Sequence, residues 1–121
     1  MMEGSVPILE MRPSFWGFDI LASLSEKYAL TEDYLLVETG LFSKDYNRIL
    51  LYKISDVAVH QSFLQRLYAL GDIIIISTDV IEPRLVLKSI EDAPKRADII
   101  SKQVLLAKRK QRIILEETGG A

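Results

Sequence analysis

One stretch constrains the fold more than any other: Leu50-Leu-Tyr-Lys-Ile-Ser-Asp-Val-Ala-Val-His-Gln-Ser-Phe-Leu-Gln-Arg-Leu-Tyr-Ala-Leu-Gly71. Val57, Val59 and Gln61 alternate with Ala58, His60 and Ser62, the period of a β-strand. Ser62 followed by Gln65 fits a capping box, and Phe63, Leu64, Leu67, Tyr68 and Leu70 recur at helical spacing. Gly71 stands where a left-handed residue ends a helix. The run Ile73–Ile76 is short and β-branched throughout, which predicts a buried strand. The segment therefore predicts strand, short helix, strand.

The flanking sequence extends the β pattern. Lys27–Thr31 and Tyr34–Thr39 read as strands around a Thr31-Glu-Asp33 turn. Gly40 suits a bulge or a positive φ, Leu41–Lys44 makes a hairpin connection, and Asp45–Leu51 returns. Ile73–Ser77 and Arg84–Lys88 form a last hairpin around Asp79–Pro83. Ile8–Phe15 reads as a strand or extended lead-in, and Trp16–Leu24 as about two turns of helix. Beyond them, Ala97, Ile100, Val104 and Ala107 mark one face of a C-terminal helix, with Ser89 or Asp92 as cap and Pro94 in its first turn. The expected fold is mainly β: a curled antiparallel barrel or sandwich of six to seven strands capped by a C-terminal α-helix. At 121 residues the chain is one domain. The expected boundaries are a tail at 1–9, the domain at 10–115 with its helix at about 92–115, and a tail at 116–121.

Catalytic chemistry finds few residues to work with. There is no cysteine, so disulfides, zinc–thiolate sites and thiol nucleophiles are excluded. His60 is the only histidine and has no ligand-spaced companions, so no metal site is expected. The carboxylate pairs Glu32-Asp33, Glu91-Asp92 and Glu116-Glu117 fall at turns and helix ends, where capping and the helix dipole call for acids. No glycine-rich phosphate loop and no serine elbow is present. The chain is read as a non-enzyme without a cofactor.

Charge is unevenly placed. Net charge is −2, yet residues 95–112 carry seven basic side chains against Asp98 alone, on an otherwise acidic body. Lys108, Arg109, Lys110 and Arg112 form a polybasic end, either a solvated helix terminus or a weak contact to an anionic membrane surface. Phe15, Trp16 and Phe18 form an aromatic cluster that either packs over an open barrel end or anchors at an interface. Nucleic acid is disfavoured because no groove-reading motif accompanies the basic stretch.

The motifs together resemble the bacterial pleckstrin-homology (PH) domain family, long catalogued as a domain of unknown function. Tyr28-Ala-Leu-Thr-Glu-Asp-Tyr-Leu35 resembles its "Y-x-L-T-x-x-R-L" opening, with Tyr34 in place of the arginine. Gly40-Leu-Phe-Ser43 resembles "G-L-x-S", and Leu51-Tyr-Lys-Ile-Ser-Asp-Val57 resembles "P-L-x-R-I-x-D-V". Gln61-Ser-Phe-Leu-Gln-Arg-Leu67 with Gly71 resembles "Q-S-x-L-x-R-L-x-G-x-G". Thr31, Gly40, Gln61, Ser62, Arg66 and Gly71 are thus the structural signature that the resemblance implies. Many members carry two spanning helices between an "R-P-S-W"-like sequence and the "Y-x-L-T" strand. Here about a dozen residues separate Arg12-Pro-Ser-Phe-Trp16 from Tyr28, so the chain is read as a soluble member without those helices.

The resemblance implies a binding or assembly module that contacts a protein partner or itself. Its expected location is the cytoplasm, including the inner face of the membrane. Eukaryotic PH domains bind inositol phosphates with basic residues near a hairpin, which makes Lys44 and Arg48 candidate ligand contacts. No specific small molecule follows from the sequence.

Overall fold

The computed structural model of the chain describes residues 7–13, 26–78 and 83–117. Seven antiparallel strands form two sheets. The first holds β1 (Leu9–Met11), β2 (Glu26–Leu30), β3 (Tyr34–Thr39) and β4 (Asp45–Leu50) in sequence order. The second holds β5 (Ile54–His60), β6 (Leu70–Ser77) and β7 (Arg84–Glu91), also in order. A 3-10 turn, Leu51–Lys53, carries the chain from one sheet to the other. A five-residue helix, α1 (Phe63–Leu67), interrupts β5 and β6, and α2 (Ala93–Glu117) ends the domain. The expected mainly-β architecture with its C-terminal helix is the one observed.

Local chemistry sets the turns. Thr31 is buried, and its hydroxyl accepts the Tyr34 N–H while donating to the Tyr34 carbonyl, each at 3.1 Å. That pair of hydrogen bonds closes the β2–β3 turn, where Leu30 pairs with Leu35 across the ladder. Gly40 takes φ +110, and a Cβ there would stand 1.8 Å from the Ser43 carbonyl oxygen. Only glycine fits such a position without rebuilding the β3–β4 turn.

Leu30, Leu35 and Ile49 from the first sheet share one core with Ile54, Ile73, Ile75 and Leu87 from the second. From Gly71 onward burial alternates along β6, so Ile73 and Ile75 face the core while Ile74 and Ile76 are half-buried. The stripe on α2 is the expected one: Ala97, Ile100, Val104 and Ala107 are buried against the sheets, joined by Ala93. Small side chains at three of these five positions let the helix lie close to the strands. Truncating fully buried Ile100 to alanine costs about 2–5 kcal/mol by the usual cavity argument.

Three local expectations are corrected. The return strand stops at Leu50, because Leu51 turns inward as the buried residue of the 3-10 turn. Gly71 does not end α1. It lies buried inside β6, and the left-handed residue is Ala69, at φ 56. A Cβ at Gly71 would lie 2.9 Å from both Ala93 Cβ and Gln61 Cγ, so the glycine serves close packing of β6 against the start of α2. Ser89 caps no helix; it sits in β7 with φ 51. Asp92 precedes α2, also at positive φ (50), and its carbonyl accepts the Arg96 N–H at 3.0 Å. The Trp16–Leu24 helix and the Asp79–Glu82 part of the last loop lie outside the described residues.

Candidate functional site

The surface around β5, α1 and the open side of α2 holds several of the candidate residues. Strand β5 is an edge: among the described residues it pairs only with β6. Only Ile54 in it is buried, Val57 is half-buried, and Ser55, Asp56, Ala58, Val59 and His60 are exposed. The alternation read in the sequence therefore does not produce a buried face along the whole strand. An open groove of about 340 Å³ runs between β5 and α2, lined by Ser55, Asp56, Val57, Val104, Leu105 and Lys108 among others.

At the far end of β5 the chain enters α1. Ser62 is the N-cap; its hydroxyl accepts the Gln65 N–H at 3.2 Å, and Gln65 Oε1 accepts the Ser62 N–H at 2.9 Å. The expected capping box is present. The Gln65 amide also donates to Asp72 Oδ1 at 2.7 Å, and the Gln61 amide donates to the Leu70 carbonyl at 2.8 Å. Yet α1 has no buried residue: Phe63, Leu64 and Leu67 are 76%, 52% and 65% exposed. Arg66, the other signature residue of this helix, is also exposed.

The basic run on α2 does not form one patch. Lys108 Nζ donates to the Tyr52 carbonyl at 3.2 Å, and Lys110 Nζ pairs with Asp33 at 3.1 Å. These two cations clasp the helix to the 3-10 turn and to the β2–β3 turn. Arg109 and Arg112, one turn apart, are exposed.

Lys44 and Arg48 are likewise not brought into a shared cradle. Lys44 pairs with Glu38 at 3.1 Å, and Arg48 lies over the Tyr34 ring at 5.4 Å from its centre. Tyr34, which stands where the resemblance leads one to expect arginine, is thus a cation–π partner of Arg48. Phe15, Trp16 and Phe18 lie outside the described residues. His60 is exposed, and no cluster of metal-ligating side chains occurs among the described residues.

Asp72 is the residue that sequence reasoning missed. Two residues of β7, Lys88 and Ser89, stand opposite it, since Gly71 pairs with Ile90 and Ile73 with Leu87. Its Oδ1 accepts the Ser89 N–H at 2.9 Å as well as the Gln65 amide. The one carboxylate in the run Leu70–Ser77 was the available signal.

This arrangement of two meandering sheets, a 3-10 crossover, a capped short helix and a closing helix coincides with a family match. The Bacterial PH domain family matches residues 6–104. The chain belongs to that family. The match covers most of the chain and ends within α2. Searches of curated proteins and of solved structures returned no match. PH-like domains are in general non-enzymatic modules, and membership of the family supports a binding module in that general sense. Among the described residues, no helix of this PH domain is long and apolar enough to cross a membrane.

Proposed function

We propose that this PH domain is a non-catalytic assembly module that binds protein, another chain or a copy of itself, through the surface formed by α1 and β5. One observation carries the reading. Helix α1 is held by a complete capping box and by the Gln65–Asp72 bond, yet it contributes no residue to the core. Phe63, Leu64 and Leu67 are displayed rather than packed. Ordering a segment costs conformational entropy, and a chain that spends it to present apolar side chains to water presents a contact surface. The family's binding-module character supports the same reading.

The test compares the wild-type chain with a Leu64→Glu, Leu67→Glu double variant. Both are used to capture proteins from native lysate with membranes retained, and both are weighed by light scattering. The expected result is a defined partner or a self-associated species that the double variant loses while keeping its circular dichroism. Identical capture and identical mass for a folded double variant would overturn the reading.

A further inference from the structure

A sheet edge invites pairing unless charge, proline or a bulge protects it. Among the described residues, three of the four sheet edges are protected by exposed charge: Glu10 on β1, Asp45 and Arg48 on β4, and Arg84, Lys88 and Glu91 on β7. The fourth, β5, carries no lysine, arginine or proline and only one carboxylate, Asp56. Its irregularity is confined to Ser55, leaving Asp56–His60 in regular register with β6.

We propose that β5 pairs antiparallel with β5 of a second copy, about a two-fold axis through Ala58. The proposal rests on the assembly reading above and names one partner for it. The strand's own sequence is self-complementary about that residue. Asp56 of each copy faces His60 of the other, so a carboxylate accepts an imidazole N–H at both ends of the ladder. Val57 faces Val59, and Ala58 faces Ala58, small enough for close approach on the axis. Shifting the axis to Val57 sets Asp56 against Ala58 and leaves His60 across from Ile54. Shifting it to Val59 pushes Asp56 past the strand end, against Ser62.

The groove supports the same register. Val57 lines it together with Val104 and Leu105. Val59, two residues on, points to the same side of the strand and is 37% exposed. Pairing about Ala58 puts Val59 of the second copy beside Val57, where it enters that groove and covers Leu105, which is 51% exposed. An isologous contact forms each of these pairs twice.

The test uses the full chain. Its mass is measured by light scattering and native mass spectrometry up to the solubility limit, beside Val59→Lys, with circular dichroism confirming that the variant is folded. The expected result is a dimer whose mass falls by half in Val59→Lys. Because the chain has no cysteine, Ala58→Cys reports the axis directly. A short thiol-bridging reagent should convert it to covalent dimer, and Lys102→Cys on the exposed side of α2 should remain uncoupled. A wild-type monomer at every concentration overturns the proposal, as does a dimer that persists in Val59→Lys or equal cross-linking at both cysteines. Any of these three results leaves the assembly reading standing if the α1 double variant still loses a captured protein. If that variant loses nothing while β5 dimerises, the α1 part of the reading fails alone.

Discussion

The Asp72 carboxylate holds the Ser89 N–H at 2.9 Å, at the point where two residues of β7 stand opposite one of β6. Ser89 is buried and its φ is 51, a conformation that costs a β-carbon-bearing residue energy unless its surroundings compensate. The same carboxylate oxygen takes the Gln65 amide, so one side chain joins β6, β7 and α1. Asp72→Ala leaves the Ser89 N–H without this acceptor and is expected to lower unfolding free energy by about 1–3 kcal/mol. Asp72→Asn, which keeps a carbonyl oxygen, should recover most of that loss. Urea denaturation of the three proteins measures both steps. Equal stability of Asp72→Ala and wild type would show that the bulge does not depend on this bond.

Gly71 yields a second expectation from distance alone. Gly71→Ala places a methyl group 2.9 Å from Ala93 Cβ and from Gln61 Cγ. Gln61 can rotate away, but Ala93 is fixed at the start of α2, so β6 and the helix must separate. Overpacking of this kind costs about 1–3 kcal/mol. The thermal midpoint of the variant should fall while its far-ultraviolet spectrum keeps its shape. Adding Gln61→Ala should return only part of the loss, because the contact with Ala93 remains.

Much of this frame was legible in the sequence because short-range chemistry decided it. The Ser62–Gln65 box, the Thr31 turn, positive φ at Gly40 and the α2 stripe each follow from side chains within a few residues of one another. Gly71 reads as a helix stop because glycine is the common solution there, whereas Ala69 takes the left-handed conformation and leaves Gly71 for a tertiary need. Ser89 reads as a cap for a similar reason. Its role depends on Asp72, seventeen residues away. The candidate site was less legible still. A run of four cations within five residues resembles a patch, but Asp33 and Tyr52, brought close by the β2–β3 turn and the crossover, draw off Lys110 and Lys108.

The capping box can be weighed by a double-mutant cycle. Ser62→Ala should cost about 1 kcal/mol, the usual worth of an N-cap hydroxyl. Gln65→Ala should cost more than the reciprocal bond alone, because Gln65 also binds Asp72. The coupling between the two changes, measured by denaturant unfolding, should be positive, and strictly additive losses would show that the two bonds act separately. In contrast, Leu64→Glu with Leu67→Glu should leave stability within about 0.5 kcal/mol of wild type, since neither side chain is buried. A large loss there would mean that α1 packs in solution more tightly than its exposure indicates.

The split of the basic run leads to a last expectation, for membranes. Each cation near an anionic leaflet contributes about 1 kcal/mol, and the attraction weakens as salt rises. Lys110 is paired with Asp33, but a hydrogen bond to the neutral Tyr52 carbonyl leaves the Lys108 charge intact, so Lys108, Arg109 and Arg112 are left to supply it. Three such charges give about 3 kcal/mol, which is too little for stable anchoring. Flotation with phosphatidylserine vesicles should therefore recover little of the chain at physiological salt and somewhat more at low salt. Arg109→Gln with Arg112→Gln should remove most of the low-salt fraction, whereas Lys110→Gln should chiefly disturb the clasp to Asp33. Strong flotation that persists in high salt and survives the arginine changes would place the membrane contact elsewhere on the domain and make it mainly apolar.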